Sequence, residues 1–378
     1  MTWSGLHTDG VFCKDMGALR LMGLTGDVSV AFTVYDAAHA VKLDEFGETY
    51  SPDTQGCVLI RDLGEVALSY FTEAELPSSP TAAVVGDAFL FIDLLVDTGI
   101  EGEDSVLLSQ QFYYASVRTD IAAPAKYKRF LSRFTESDVL PCELSTPAFL
   151  NMGQKLSVGV AYFDGTAKYC RIPIPVTAPQ GGWFAAPMSP VHVLALLGVE
   201  LLTRFDFADL YFYDVLLEDG GKIVDRIRLH LDHRPVGLTT TLVYYNCFGL
   251  PSAITLRGRE ELECDLGAEF SNVEGFHRKT NTELVTSHCL STGYINASQR
   301  DAVFDLATSN RVYLWDGDTL GDEVTITEID FSETLPRTAP TNLKITYRVA
   351  DRKDRKFVRH EVIVNQGVFD DTFDGSFE

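Results

Sequence analysis

Short runs of β-branched and aromatic residues, each closed by a turn signal, recur along most of this chain. That rhythm restricts it to a fold built mainly from strands. Val28–Tyr35 is one such run, with partial alternation of apolar and polar positions. Pro52-Asp53-Thr54-Gln55-Gly56 is a strong turn, and the strand-like Cys57–Ile60 follows it. Leu156–Asp164 and Lys168–Val176 predict a hairpin across Asp164-Gly165, and Asp209–Leu217 and Lys222–Leu231 predict another across Asp219-Gly220-Gly221. Thr240–Asn246 and Ala253–Leu256 flank the turn residues Phe248-Gly249-Leu250-Pro251. Further strands are expected near Ser287 and Val312, over Val324–Ile329 and over Asn342–Val349.

Helices are few and short. One begins at about Asp62, one is opened by Ser189-Pro190 as N-cap and first helical residue, and one covers Ser298–Leu306. The clearest spans Pro124–Phe134, where Tyr127, Phe130, Leu131 and Phe134 fall at i, i+3, i+4 and i+7. Lys126, Lys128, Arg129 and Arg133 lie between them and form a basic contact patch for an acidic neighbour, or else an ordinary solvated helix face.

A chain of 378 residues is too long for a single core. The expected architecture is mainly β, with several β-sandwich-like or α+β modules in tandem and a few short helices. Pro77-Ser78-Ser79-Pro80 and Thr177-Ala178-Pro179-Gln180-Gly181-Gly182 are the strongest breaks, with a third near Arg259. They divide the chain into an immunoglobulin- or transthyretin-like β module (1–78), a β-rich module with the basic helix (79–180), a further β-rich module (181–260) and a C-terminal α+β module (261–378).

The net charge of −23 repels phosphate backbones and anionic lipid surfaces, which argues against nucleic-acid or membrane-surface partners. No apolar run approaches the length of a membrane span, and Met1-Thr2-Trp3-Ser4-Gly5 carries no basic leader or apolar h-region. Synthesis in a cytoplasm without a signal peptide is therefore expected. The seven cysteines are scattered with no CxxC pair, so reduced thiols are expected rather than a zinc site or disulfides.

Nucleophile elbow, phosphate loop, dinucleotide fingerprint and zincin helix are all missing from the sequence. His230-Leu231-Asp232-His233 splits its ligand-type residues between two faces of a strand. Asp316–Asp322 has carboxylates at calcium-loop positions 1 and 3, but Leu320 and Thr327 stand at positions 5 and 12. No catalytic, metal or cofactor residues are assigned, and no cofactor is expected. Trp183 and Phe184, beside Gly181-Gly182, are either a core-entering loop or an aromatic ligand contact. The contact reading would make this a carbohydrate- or surface-binding β module that meets a host-surface glycan. A hydrolase whose carboxylates converge only in the fold is a further alternative.

Residues 369–378 read Phe-Asp-Asp-Thr-Phe-Asp-Gly-Ser-Phe-Glu. Phe369, Phe373 and Phe377 recur every four residues, and an acidic residue follows each. Acidic residues keep such a segment in water, whereas three aromatics favour burial by ~1.5–3 kcal/mol each. It is an arm that docks on a neighbouring subunit, folds back on its own chain or stays disordered.

Four segments together resemble tail- and baseplate-region proteins of bacteriophages and prophages from Bacteroidetes-type gut bacteria. They are Glu48–Asp53 with Gly56–Leu63, Tyr244-Tyr245-Asn246-Cys247-Phe248-Gly249, Leu306–Ser309 with Val312–Trp315 and Val324–Ile326, and the Phe-Asp-x-Thr-Phe-Asp arm. The resemblance implies a structural, non-enzymatic component of a phage tail, baseplate or related injection particle. It would be located in the virion and its partners would be copies of itself and other particle proteins.

Overall fold

The computed structural model describes residues 1–71, 83–87, 89–100, 104–132, 136–138, 145–150, 154–163, 166–173, 182–187, 210–230, 239–273, 276–295, 297–315, 320–330 and 342–350. Among them the fold is mainly β, with five sheets and two α-helices. The chain opens with β1 (Thr2–Ser4), β2 (Val11–Phe12), β3 (Leu19–Met22), β4 (Val28–Tyr35), β5 (Lys42–Tyr50), β6 (Cys57–Ile60) and helix α1 (Leu63–Ser69). Next come β7 (Ala83–Asp87), β8 (Phe89–Asp97), β9 (Val106–Tyr113), β10 (Glu136–Asp138), β11 (Ser145–Leu150), β12 (Gln154–Phe163), β13 (Ala167–Pro173), β14 (Gly182–Pro187), β15 (Leu210–Asp219) and β16 (Lys222–His230). The last group is β17 (Thr240–Tyr245), β18 (Pro251–Leu256), β19 (Glu260–Val273), β20 (Phe276–Ser291), helix α2 (Ala297–Thr308), β21 (Val312–Trp315), β22 (Leu320–Asp330) and β23 (Lys344–Val349).

Two of the sheets, β1-β3-β6 and β2-β9-β8-β4-β5, share the first core. Alternation decides which residues enter it. Val28, Val30, Phe32 and Val34 of β4 are buried, as are Leu90, Ile92, Leu94 and Val96 of the adjacent β8, while the intervening residues face away. Leu19 and Leu21 of β3, Val58 and Ile60 of β6, and Leu63 and Ala67 of α1 close the other side. A second core forms under the seven-stranded sheet β18-β17-β21-β22-β23-β20-β19, where Val303 and Leu306 of α2 pack with Leu242, Tyr244, Ile254, Ile345 and Tyr347. The expected helix over Ser298–Leu306 lies inside α2. The remaining sheets are β10-β16-β15-β12-β13 and β11-β14-β7. Both sequence-predicted hairpins, β12–β13 and β15–β16, form in the first of these.

Strand pairing crosses each of the boundaries expected from composition. β4 pairs with β8 across residue 78, β12 pairs with β15 across residue 180, and β18 shares a sheet with β19–β23 across residue 260. Turn-rich segments mark where a chain leaves a sheet, and a long connection can return it to the same sheet.

A third, smaller apolar cluster joins these parts. Phe12, Tyr113, Ala115, Leu131, Cys247, Phe248 and Leu250 are buried together, with the rings of Phe12 and Phe248 5.5 Å apart. Asn246 organises it. Its Oδ1 accepts from the amides of Phe248 (2.9 Å) and Leu250 (3.1 Å), and its Nδ2 donates to the carbonyl of Leu131 (3.1 Å). The turn it holds puts Gly249 at φ 72°, where an added Cβ would lie 2.9 Å from the Tyr114 ring. The Ser116 amide donates to the Cys247 carbonyl at 2.9 Å and ties the 114–117 segment to the same turn.

The helix expected over Pro124–Phe134 is not formed. Only a 3-10 turn, Pro124–Lys126, appears, and the chain then runs irregularly to residue 132. The reason is tertiary competition for donors and charges. The Phe130 amide donates to Asp225 Oδ2 at 2.7 Å instead of to a carbonyl one turn back. Lys126 pairs with Asp9 at 2.6 Å, and Lys128 pairs with Asp219. Phe130 and Leu131 are buried, as the apolar stripe required, so the segment is a strap across the junction. Arg129 is exposed, and Arg133 and Phe134 lie outside the described residues, as does the helix expected at Ser189.

Replacing Asn246 by Ala strands two buried amides and one carbonyl. At roughly 1–3 kcal/mol for each buried group left unsatisfied, Asn246→Ala is expected to lower unfolding free energy by about 3 kcal/mol or more. Chemical denaturation of the purified variant measures this, and a loss below ~1 kcal/mol would show that the carboxamide is not the organiser.

Candidate functional site

The five-stranded sheet β10-β16-β15-β12-β13 has two unlike faces. One is apolar, with Leu156, Val158, Val160, Tyr213, Val215, Leu217, Ile227 and Leu229 all buried. The other carries charge. Asp214 of β15 is buried, and Arg228 of the neighbouring β16 grips it with two hydrogen bonds, Nε to Oδ1 at 2.7 Å and Nη2 to Oδ2 at 3.1 Å. The same guanidinium lies 3.8 Å from the centroid of the Phe212 ring, a cation–π contact. Tyr169 of β13 reaches across β12 to donate to Asp214 Oδ2 at 3.2 Å. That reach requires Gly159, because an added Cβ there would lie 1.8 Å from the Tyr169 hydroxyl. Further along β15, Glu218 accepts from Arg171 of β13 at 2.7 Å and from the Ser157 hydroxyl.

The charges are layered. Asp214 and Glu218 side chains are 2% and 11% exposed, whereas Arg226 and Arg171 above them are 54% and 41% exposed. Arg226 stands 3.9 Å from Asp214, beyond hydrogen-bonding reach. Tyr169, Asp214, Ile223, Asp225, Arg226 and Arg228 line a shallow recess of about 380 Å³ on this face. On a chain of net charge −23 this is a place where guanidinium groups form the outer layer and carboxylates the inner one.

The second feature is a projecting ribbon. β19 and β20 pair along their whole lengths, but β20 meets β23 only from His288 to Ser291. Beyond that point the two strands have no third neighbour among the described residues. Ten steps separate residue 263 from Val273, roughly 35 Å at ~3.4 Å per residue. β19 alternates, with Leu262 and Cys264 on one face and Glu261, Glu263, Asp265 and Glu269 on the other. Leu262 and Phe270 are 62% and 64% exposed.

The ribbon's root is clamped. Glu260 Oε1 accepts from the Tyr347 hydroxyl (2.7 Å) and lies 2.7 Å from His288 Nδ1, and the His288 ring stacks on Tyr347. Burial raises the Glu260 carboxyl's affinity for a proton, but hydrogen bonds from Tyr347 and His288 outweigh it and hold the group below its usual range.

Among the residues singled out by sequence, Lys126 pairs with Asp9 and Lys128 with Asp219 along the junction strap, and both lysine side chains remain largely exposed. Trp183 and Phe184 lie in β14, opposite Phe149 and Ala148 of β11, and their side chains are outside the described set. Phe369, Phe373 and Phe377 also lie outside it, as do residues 231–238 and 316–319 of the two ligand-like runs. No group of three or more potential metal ligands occurs among the described residues, and no described helix is long and apolar enough to cross a membrane. Sequence reading missed the Asp214–Arg228 pair and the ribbon. Their signals were an acid inside the apolar run Phe212–Leu217 and the acid–apolar alternation after Glu260. Compared with known proteins, the chain matches no family model, no curated protein and no solved structure.

Two expectations follow. Arg228→Ala leaves Asp214 buried without its main partner, which costs about 3–5 kcal/mol for a broken buried pair. Thermal unfolding of the variant should show it, and Asp214→Asn combined with Arg228→Ala should recover part of the loss. For Glu260, the depressed carboxyl contributes stability that is fully present above the unfolded-state value, about 4.3, and is lost as pH falls through the lower folded-state value. The stability advantage of the wild type over Glu260→Gln should therefore be flat above about pH 5 and shrink below about pH 4, as read by denaturant titration at each pH.

Proposed function

We propose that this chain is a structural, non-enzymatic component of a phage tail, baseplate or related injection particle, and that it works through contacts with copies of itself and other particle proteins. The observation that carries the assembly reading is the β19–β20 ribbon. A two-stranded ribbon is at best marginally stable alone in water. Here one strand presents alternate apolar residues, with Leu262 and Phe270 exposed, and both outer edges lack a partner strand among the described residues over most of their length. Such a projection gains a third strand or a covered face when it packs against another subunit. The acidic face, Glu261, Glu263, Asp265 and Glu269, then stays outward and orients the contact. Resemblance of the four sequence segments to tail- and baseplate-region proteins supports the particle, and Tyr244–Gly249 among them is the turn that organises the junction.

Cys264 supplies the test. It is exposed on the ribbon, while burial pushes the Cys13 thiol up to about 12 and makes it an unreactive internal reference. Residue-resolved alkylation of size-separated fractions should label Cys264 rapidly in monomer and at least tenfold more slowly in assembled material, with Cys13 unlabelled in both. Phe270→Glu should leave the circular dichroism spectrum intact and shift the population to monomer. A wild-type chain that remains monomeric both alone and with neighbouring-gene products, or equal Cys264 labelling in every fraction, would sink the assembly reading. Sheath, tube or tape-measure genes beside this one would support the tail, and a neighbourhood of unrelated metabolic genes would count against it.

A further inference from the structure

The recess on the charged face of β10-β16-β15-β12-β13 has the parts of a ligand site. Its floor is Leu216, which is buried although it shares that face with Asp214. Tyr169 forms one side. Its hydroxyl reaches Asp214 two strands away, so the side chain lies along the sheet instead of standing on it, and it passes directly over Gly159. Even so, Tyr169 is 52% exposed. Ile223, on the β16 side, is 48% exposed. Exposed apolar surface thus flanks an apolar floor in the middle of a polar face.

The polar groups are positioned in advance. Arg228 is fixed by its two bonds to Asp214 and by the Phe212 ring. The Tyr169 hydroxyl donates its proton to Asp214 and keeps its oxygen as an acceptor. Arg226 stands opposite Leu216, and its guanidinium makes no hydrogen bond among the described residues, so its donors are unspent. Each carboxylate oxygen of Asp225 accepts one amide, from Phe130 at 2.7 Å and from Arg226 at 2.9 Å, and retains a lone pair.

Charge decides the class of ligand. Asp214 and Asp225 line the recess together with Arg226 and Arg228, so its own charge is close to balanced. Asp214 lies 3.9 Å from Arg226 and offsets that cation, and the whole chain stands at −23. An anion gains little there. What the recess offers is donors and acceptors side by side, next to apolar surface. A pyranose has the same make-up, with an apolar C–H face and a rim of hydroxyls that each donate and accept. The volume of about 380 Å³ falls within the range of small-molecule sites. From β13 to β16 is three strand spacings, roughly 14 Å, the reach of a short oligosaccharide instead of a single ring.

We propose that this recess binds a neutral oligosaccharide, with the C–H face of one sugar ring on Tyr169, the next unit towards Ile223, and hydroxyls hydrogen-bonded by Arg226, Asp225 and the Tyr169 oxygen. The site is separate from the Trp183–Phe184 contact considered from sequence, and it goes beyond the assembly reading without depending on it. Tyr169 and Arg226 are held on strands, so the site is formed before the ligand arrives and little ordering is needed on binding.

The test uses the purified full chain and end-labelled hexasaccharides of β-glucan, mannan, galactan and xylan, with hexagalacturonate and a hexaglutamate peptide as anionic probes. Fluorescence anisotropy should show saturable binding of at least one neutral hexasaccharide and at least tenfold weaker binding of both anionic probes. Tyr169→Ala and Arg226→Ala should each weaken the neutral sugar tenfold or more. Where Tyr169→Ala impairs folding through its bond to Asp214, Ile223→Asp, at an exposed position, serves instead. Arg226→Gln keeps donors without the charge and should recover part of the loss seen with Arg226→Ala, whereas an anion site would recover none. Absence of saturable binding by every neutral hexasaccharide, or binding unchanged in the folded variants, would overturn the proposal. Tighter binding of hexagalacturonate or of the peptide would also overturn it and make the recess an anion site. None of these outcomes bears on assembly, which Cys264 labelling reads on a different surface.

Discussion

The Asn246 carboxamide is the point from which the relation between the parts of this chain is set. A turn of the form Asn246-Cys247-Phe248-Gly249-Leu250 has more backbone donors than it can satisfy internally once it is buried. Asn246 satisfies two of them with one oxygen and spends its amino group on Leu131, 115 residues away in sequence. Phe248 is thereby held against Phe12 of the first sandwich, and Leu131 is fixed at the end of the strap whose lysines reach Asp9 and Asp219. The apolar contacts supply most of the energy. The carboxamide supplies geometry, because no apolar side chain could hold both the turn and the strap in register.

A second constraint comes from the acidity of the chain. With 54 carboxylates against 31 basic side chains, the folded state must place many anions without partners, and most remain in water. Asp214 and Glu218 are exceptions. They sit beneath guanidinium groups in the middle of a sheet, where a lost partner is expensive and a kept one fixes side-chain positions. The same arrangement turns the outer layer of that face cationic. Lys126 and Lys128 are each paired with an acid while their side chains stay largely exposed, and cationic surface also appears on β13 and β16.

Strands and hairpins were legible in the sequence because their signal is local. Val28–Tyr35 alternates, Gly220 and Gly221 adopt positive φ at the β15–β16 turn, and α2 covers the expected Ser298–Leu306. What was not legible depends on distant residues. The apolar stripe from Tyr127 to Leu131 has helical spacing, yet Asp225, Asp9 and Asp219 claim its amide and its lysines, and none of them is nearby in sequence. The same holds for connections between strands: Pro77–Pro80 signals an exit from a sheet and holds no information about β8 pairing with β4. The Asp214 site required four strands to be set side by side before Tyr169, Arg228 and Gly159 had any relation to one another.

The ribbon and the β13 edge present one physical problem in two forms. Backbone donors and acceptors along an unpaired strand are satisfied by water, but apolar residues beside them are not, so the edge is stable only while nothing complementary is present. Proteins that stay single protect such edges with bulges, prolines or inward charges. Here the β19–β20 pairing contains a register shift at Glu269/Phe270 and β13 ends at Pro173, yet Leu262, Phe270, Cys170 and Ile172 remain beside open edges. The protection is therefore partial and confined to strand ends. Charge does the rest of the discrimination. Glu261, Glu263, Asp265 and Glu269 on β19 disfavour contact with another acidic face. An edge that is open in the middle and marked by charge admits few partner strands and holds them in one register.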